Sequence, residues 1–318
     1  MQGRKMAVAL PGHSATVSWY GFLITLLGAI LFSTKAIIVK KAFHSTNLDA
    51  LTLLTLRMIF SLPFYLAAAF LTSVRRSNTP MKARQWAFVI GLGLFGYYLS
   101  SLFDFIGLQY ISAGLERLIL FLYPTFTVLI NAMVFSQRVT ANQRLALALT
   151  YAGIAIAFLG EWGINTTNRH FFWGSGLIFL CSVTYAIYVS GSGKMIPVLG
   201  AAKFTAYSML AAIAGIFTHY LIRGKGTGLF SPGGAWTYGL ILAIVATVIP
   251  TFLLAAGMKR IGSSNAVIIS SIGPVSTILQ AHFFLGEQLL WEQIVGTLLV
   301  ISGVLLIGLR SRAESTVV

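Results

Sequence analysis

Charged side chains are scarce in this 318-residue chain. They make up 9% of it, while apolar residues make up 57%; a soluble domain carries roughly 25% charged residues. A chain with so few charges cannot build a soluble surface, so the medium around most of it must be lipid. The composition therefore excludes a soluble enzyme or binding domain and predicts an integral membrane protein with the bilayer as its main partner.

Cysteine is nearly absent as well. The single cysteine, Cys181, excludes a disulfide within the chain and a thiolate metal cluster. The histidines show no metal-ligand spacing, and there is no phosphate-binding loop. We therefore predict no metal and no cofactor, and an intramembrane enzyme is the disfavoured alternative. The histidines are scattered along the chain at His13, His44, His170, His219 and His282.

The net charge of +15 follows the loops. In a soluble protein it would suggest nucleic-acid binding, but here the basic residues lie in short loops between apolar runs. We therefore predict no nucleic-acid partner and interpret the charge as a topology signal. The apolar stretch Met6–Leu10 is too short for a signal peptide. Residues 1–18 are accordingly predicted to form a cytoplasmic segment before an uncleaved first span.

Ten apolar segments are long enough to cross a bilayer as helices, which takes about 20 residues. Their continuous character favours helices over the short alternating strands of a barrel. The fifth segment is the shortest. The predicted spans are Trp19–Val39, Ala50–Thr72, Trp86–Gly107, Ile111–Phe135, Leu145–Trp162, Phe171–Ser190, Phe204–Ile222, Trp236–Met258, Ile261–Leu285 and Leu289–Leu309.

The distribution of Lys and Arg predicts the orientation. With ten spans, fourteen of these residues fall on the side that holds both termini, five fall on the other side, and three lie within spans. Because cytoplasmic loops carry the excess, both termini are predicted to be cytoplasmic. The expected organisation is two five-helix repeats at 19–162 and 171–310, an external linker at 163–170 and a cytoplasmic tail at 311–318.

The two halves match when the chain is shifted by 150 residues. Gly107–Gly160 then falls on Gly257–Arg310 without a gap, with ten identities in 54 positions. Pro124 falls on Pro274, at the fourteenth residue of spans four and nine. An odd number of spans per half places the second half upside down, and the loop charges change sign accordingly. The fold class is therefore an all-α membrane protein of ten transmembrane helices arranged as two inverted repeats.

Inverted repeats provide a route to alternating access, because two similar halves can exchange conformations. The substrate site of such a transporter is expected near the midplane, where helices are interrupted. Pro124 and Pro274 lie at that depth. Each removes a backbone donor, so they are either tolerated kinks or a functional hinge or cavity wall.

Charges within spans are the next candidates, because charge in lipid normally faces the bundle or a cavity. By depth they lie within roughly 12 Å of the outer boundary, which predicts an outward-facing polar vestibule. Arg57 is the deepest and is the first choice for contact with a substrate carboxylate or for a gating ion pair. The five residues are Lys35, Arg57, Asp104, Glu116 and Arg117.

Structural roles compete with this interpretation. Arg57 could pair with Asp104 or Glu116 and tie helices together, and Lys35 and Arg117 could snorkel to the interface. Tyrosines within spans either line a cavity or pack in the core. They are Tyr97, Tyr98, Tyr123, Tyr185 and Tyr188.

Several motifs resemble the drug/metabolite transporter superfamily, specifically its EamA-type ten-span transporters. The segment 114–124 is similar to that family's fourth-span pattern, in which small residues lead to a mid-helix proline. Phe283-Phe-Leu-Gly-Glu287 matches the family's ending after span nine, and Lys40-Lys41 after span one also fits. The first repeat departs, because Gln137 stands where the glutamate would be.

The resemblance covers roughly residues 19–310 and implies small-molecule transport through a central cavity lined by spans one, three, four, six, eight and nine. Arg57, on span two, would then be peripheral. The cavity residues that the resemblance implies are Lys35, Tyr98, Glu116, Tyr123, Pro124, Tyr185 and Pro274.

The predicted function is secondary transport of small polar or zwitterionic metabolites, such as amino acids, across a bacterial inner membrane. Export follows the tendency of the resembled family. Protons could provide coupling, with Asp104 or Glu116 as the carrier. The alternatives are a facilitator or importer of another metabolite such as a nucleoside or vitamin, a channel, or the intramembrane enzyme. The residues do not specify an oligomeric state.

Overall fold

The structure is a computed structural model, and it describes residues 19–74, 80–135, 141–164, 168–223, 229, 234–261, 269–270 and 272–314. The predicted cytoplasmic segment 1–18, residues 165–167 of the linker and residues 315–318 of the tail lie outside these ranges. Within the described part of the chain all regular elements are helices, as predicted.

The described residues of the first half form seven α-helices. Helices α3 and α4 are joined by a π-helical turn, Leu94–Leu99, and so form one continuous rod. The helices are α1 (Trp19–Ser45), α2 (Ala50–Val74), α3 (Ala83–Gly93), α4 (Ser100–Gly107), α5 (Ala113–Leu120), α6 (Tyr123–Phe135) and α7 (Ala141–Ile164).

The second half follows the same plan. Its helices α10 and α11 are likewise joined by a π-helical turn, Ile244–Val248. The described helices of this half are α8 (Phe171–Leu199), α9 (Ala201–Arg223), α10 (Ala235–Ala243), α11 (Ile249–Ile261), α12 (Gly273–Leu285) and α13 (Trp291–Glu314).

Eight helical stretches in the described ranges are long and apolar enough to cross a bilayer. Helix α12 lies within the predicted ninth span, and α13 begins within the predicted tenth span and ends beyond it, at Glu314. Residues 262–268 and 271 of the ninth span are outside the described part. The eight stretches are Trp19–Ser45, Ala50–Val74, Ala83–Gly107, Ala113–Val134, Arg144–Gly163, Phe171–Leu199, Ala201–Arg223 and Ala235–Leu254.

Backbone irregularities recur at the 150-residue offset of the sequence repeat. The π-helical turns begin at Leu94 and at Ile244, which are 150 residues apart. Pro124 is the second residue of α6, and Pro274 is the second residue of α12. The structure therefore repeats two features of the backbone that depart from regular α-helix, and π-helical turns are often found at functional sites.

Both prolines lie in the first turn of a described helix. Helix α5 ends at Leu120 and α6 begins at Tyr123, so the fourth predicted span consists of two helices. Proline is favoured in the first turn of a helix, where no backbone donor is needed and its fixed φ suits helical geometry. Pro124 thus follows a helix break, and each proline is the second residue of the helix that contains it.

Close backbone contact joins the last helices of the two halves, α7 and α13. A Cβ atom built on Gly153 would lie 2.6 Å from the Gly296 carbonyl oxygen, and one built on Gly296 would lie 2.4 Å from that of Gly153. Only glycine permits this approach. A separate apolar core involves α1, α2, α4, α9 and α10, and the charged cluster described next lies within the bundle.

Candidate functional site

Lys35 forms the centre of a buried ion-pair cluster. Its Nζ lies 2.6 Å from Asp104 Oδ2 and 3.3 Å from Glu116 Oε1. The three residues are 7%, 2% and 0% exposed. We call Lys35, Asp104 and Glu116 the central triad.

Three helices of the first half position the triad. Lys35 is in the middle of α1, which packs against α11 and α12 of the second half. Asp104 is on α4, just beyond the π-helical turn. Glu116 is in the first turn of α5, where the N-cap residue Ser112 accepts a hydrogen bond from the Leu115 amide at 3.0 Å. A negative side chain is favoured near a helix N-terminus.

The triad has more acceptors than its one ammonium satisfies. Asp104 Oδ1 and Glu116 Oε2 are buried and have no hydrogen-bond partner among the described residues. Buried polar atoms without partners are uncommon and often mark a functional position. Two carboxylates against one ammonium leave room for a further cation or for a proton.

Arg117 is buried beside the triad, with 6% of its surface exposed. Its guanidinium lies over the rings of Phe32 and Phe121, 5.5 Å from each ring centre. On its third side it approaches the start of α12, where a Cβ atom on Gly273 would lie 2.7 Å from Nη2. Arg117 and Lys35 are both enclosed by the bundle, so neither snorkels to the interface.

The ion pair expected between Arg57 and Asp104 or Glu116 is not formed. Arg57 Nε donates instead to Thr247 Oγ1 at 2.8 Å, and its guanidinium lies over the Phe105 ring. Thr247 belongs to the second π-helical turn and itself donates to the Leu242 carbonyl oxygen. Arg57 therefore joins α2 to α10–α11, and Lys35 takes both carboxylates because its position on α1 faces α4 and α5.

Tyrosines form a separate cluster beside the helix break. The rings of Tyr123 and Tyr185 meet edge to face at 5.0 Å, and the hydroxyls of Tyr97 and Tyr188 are 3.0 Å apart. Tyr98 instead reaches α9, where its hydroxyl lies 3.1 Å from His219 Nδ1. Four of the five tyrosines singled out in the sequence thus lie together, and Tyr98 does not join them.

Glu287 connects the second half to the start of α5. Gly286 adopts a φ of 69°, a conformation that glycine tolerates and that ends α12. The Glu287 carboxylate then accepts from the amides of Ala113 at 3.0 Å and Gly114 at 3.4 Å. Lys40 Nζ lies 3.7 Å from the same carboxylate. The Gly-Glu ending of the sequence motif therefore caps a helix of the other repeat.

Two buried charges were missed by the sequence analysis. Glu161, 3% exposed, bonds Ser112 and Gln293 near the end of α7. Lys203, in the first turn of α9, is 8% exposed. Both lie close to helix ends, where charge is ordinary, so composition and depth contain no signal for their burial.

The charges assigned to the predicted outward-facing polar vestibule are buried in this conformation. All five charges assigned to it are at most 7% exposed. A lateral groove of about 250 Å³ lies elsewhere and is almost wholly apolar; it is lined by Ile119, Leu122, Ile154, Phe158, Phe172, Ser175, Gly176 and Phe179. No group of three or more His, Cys, Asp or Glu side chains among the described residues is placed to hold a metal ion.

Comparison with known proteins gives consistent matches along the chain. The profile of the EamA-like transporter family matches residues 19–159 and again 172–309. The "Uncharacterized transporter YcbK" of Bacillus subtilis is 32% identical over 282 residues, covering 87% of this chain and 88% of that protein.

More distant relatives and a solved structure also match. A "Probable amino-acid metabolite efflux pump" of Salmonella typhimurium is 26% identical, covering 93% of this chain and 98% of its own length. The Escherichia coli protein of the same description is 24% identical over 91% of this chain and 96% of its own. One crystal structure covers 92% of this chain and 98% of its own with a TM-score of 0.63 at 19% identity, which shows a shared fold.

Proposed function

The chain belongs to the EamA-like transporter family, as its motifs predict, and on that premise we propose that it exports amino acids or related zwitterionic metabolites by alternating access. Membership of this family makes the protein an integral, multi-pass transporter of the inner membrane with a small-molecule substrate. Two relatives are described as amino-acid metabolite efflux pumps, which supports the substrate class and the direction.

The observation that carries the proposal is the acceptor surplus of the central triad. The ammonium of a substrate can approach the free oxygens, Asp104 Oδ1 and Glu116 Oε2. Charge-assisted hydrogen bonds are about twice as strong as neutral ones, and burial strengthens them further. The triad therefore favours a substrate that carries a positively charged nitrogen. Because the triad is buried, such a substrate has to lose its hydration water and enter through a transient opening.

The opening motion is proposed to involve the paired backbone irregularities. A helix begins just before Pro124 and another just before Pro274, at matching places in the two repeats. Short helices joined at a break can tilt with little cost, because few helical hydrogen bonds span the joint. Two such joints related by inverted symmetry would open the site on one side or the other.

The ten-span, inverted arrangement with cytoplasmic termini is part of the same proposal. Helices α12 and α13 are the described helices of the proposed spans nine and ten. The charge bias of fourteen against five supports inward termini. The two-repeat organisation at 19–162 and 171–310 is supported by the paired family matches.

Coupling to protons is proposed to use Glu116, with Asp104 as its neighbour. Two carboxylates around one ammonium can release substrate when one of them takes a proton, because the surplus negative charge is then removed. Glu116 is the better carrier because it is fully buried and lies 3.3 Å from Lys35, whereas Asp104 holds Lys35 at 2.6 Å.

The test is transport by the purified full-length protein in liposomes. Vesicles loaded with each of the twenty amino acids would be diluted into buffers that impose or lack a pH gradient. We expect at least one amino acid to cross the membrane faster than in protein-free vesicles. In the Glu116→Gln variant, this transport should no longer respond to the pH gradient. Glu292→Gln, an exposed carboxylate, is the matched control. Absence of amino-acid flux under every gradient would contradict the substrate class.

A further inference from the structure

Arg117 is a buried cation without a carboxylate of its own. Only 6% of it is exposed, and its Nε has no hydrogen-bond partner. The ion pairs found in the described ranges belong to Lys35 and Lys40, and none includes Arg117. Leaving a buried charge unpaired costs several kcal/mol. Such a side chain is retained where a ligand supplies the missing charge.

Aromatic rings hold the guanidinium without satisfying it. Phe32 and Phe121 each lie 5.5 Å from Cζ of Arg117, within the range of cation–π attraction. The rings accept no conventional hydrogen bond, and the buried Nε has no hydrogen-bond partner among the described residues. A planar guanidinium fixed in this way presents a fork that matches a carboxylate.

The start of α12 adds a second positive feature at the same place. Gly273, its first residue, is so close to Arg117 that a Cβ atom there would meet Nη2 at 2.7 Å. No side chain caps this helix at Ile272. A helix N-terminus bears roughly half a positive charge and attracts anions. A cation placed there is of the unfavourable sign, and an anion that contacts both groups from one side would neutralise both.

We infer that Arg117 and the N-terminus of α12 form an anion subsite that binds the carboxylate of the transported metabolite. This inference rests on the proposed function, since it assigns the second end of a zwitterionic substrate. Ser33 ties the subsite to α1, because its hydroxyl donates to the Gly273 carbonyl oxygen at 3.3 Å. Helices of both repeats thus meet at the subsite.

The subsite and the central triad adjoin and have opposite charge. Glu116 and Arg117 are consecutive on α5, and Phe32 and Lys35 are one turn apart on α1. With its carboxylates ionised, the triad has a net charge of −1, while Arg117 contributes +1. A zwitterion in which an ammonium and a carboxylate are separated by one carbon complements this arrangement. A simple amine would leave Arg117 unpaired.

Arg57, the other buried arginine, serves as the matched comparison. Its Nε is already bonded to Thr247 Oγ1, and its guanidinium lies over the Phe105 ring. It therefore lacks the free donor and the adjoining helix start that characterise Arg117. Removing Arg57 should affect stability without changing which substrate is preferred.

The experiment measures binding of each of the twenty amino acids, and of the corresponding amino-acid amides, to the full-length protein in detergent. For the best-bound amino acid, we expect the wild type to prefer the acid to its amide. Arg117→Gln should weaken binding of the acid about 100-fold, the loss expected for two charge-assisted hydrogen bonds, and should bring the acid-to-amide ratio close to one. Arg117→Lys should retain part of the preference, and Arg57→Gln all of it.

Two outcomes would overturn the inference: an unchanged acid-to-amide ratio in Arg117→Gln, or equal binding of acids and amides by the wild type. Arg117→Lys keeps the test usable if the glutamine variant fails to fold. If no amino acid binds, the proposed substrate class fails, and the subsite is then tested with acetate and inorganic phosphate. Stabilisation of the wild type but not of the Arg117 variants by either anion supports the subsite, and stabilisation by neither refutes it.

Discussion

Replacing Lys35 with methionine should destabilise the protein more than any exposed lysine replacement. The substitution keeps the unbranched apolar stem but leaves Asp104 and Glu116 buried without their cation. At 2.6 Å and 3.3 Å, each contact corresponds to an attraction of about 5–6 kcal/mol at an effective dielectric constant of about 20. Desolvation offsets much of this, and removing one partner of a buried pair costs about 3–5 kcal/mol.

A matched set of variants separates charge from packing. Lys41→Met removes an exposed lysine from the same helix and should cost under about 1 kcal/mol. The triple variant Lys35→Met, Asp104→Asn, Glu116→Gln removes every charge of the triad while keeping its shape. Replacing a whole buried ion pair by well-packed hydrophobic residues is often neutral or stabilising, and the neutral amides likewise leave no buried charge unpaired. The triple variant should therefore recover most of the lost stability, yet transport should remain absent.

The assay is the free energy of unfolding in bicelles, measured by steric trapping, together with substrate counterflow in liposomes. A loss in Lys35→Met no larger than in Lys41→Met would show that the carboxylates are not dependent on Lys35. A triple variant as unstable as Lys35→Met would show that packing, not charge, explains the loss. Either result would refute the electrostatic account of the triad.

Three further predictions concern the frame around the site. Glu287→Gln should cost about 1–2 kcal/mol of unfolding free energy, because a charged cap of α5 and its contact with Lys40 are lost, whereas exposed Glu292→Gln should cost little. Gly153→Ala should cost about 1–3 kcal/mol of stability, because its Cβ would meet the Gly296 carbonyl oxygen at 2.6 Å. Gly163→Ala, where a Cβ meets no atom within 4 Å, should cost little, and thermal unfolding in detergent measures both variants. In a Cys181→Ala background, an impermeant maleimide added to intact cells should label Lys41→Cys and spare Arg84→Cys, and the reverse pattern would contradict cytoplasmic termini.

Helix placement was largely predictable from composition, because continuous apolar runs of sufficient length have few alternatives in a bilayer. Most predicted spans fall within the observed helices, and Pro124 and Pro274 were correctly singled out as a related pair. The break before Pro124 was harder to predict from the sequence, since the same proline is compatible with a kink or with a helix start. Deciding between them requires knowing whether Phe121 and Leu122 continue the helix.

Partner choice within the site was not predictable in the same way. Depth along a helix follows from counting residues, and it correctly grouped Lys35, Asp104 and Glu116. The direction in which a side chain points depends on the rotation and packing of each helix. Counting residues along the chain gives neither of these. For this reason the sequence left several roles open for Arg57, among them a pair with Asp104 or Glu116, and did not indicate its bond to Thr247 of the second π-helical turn.

The contrast between the two repeats separates the motion of the transporter from its chemistry. The backbone irregularities recur in register, with π-helical turns starting at Leu94 and Ile244 and helices starting just before Pro124 and Pro274. The side chains of the site do not recur: the central triad comes entirely from the first repeat, and the second repeat contributes the helix start at Gly273. Symmetric joints are what exchange of conformations requires, because each repeat must adopt the other's shape. A single substrate needs only one set of charges, so evolution could retain the joints in both repeats and the ionic side chains in one.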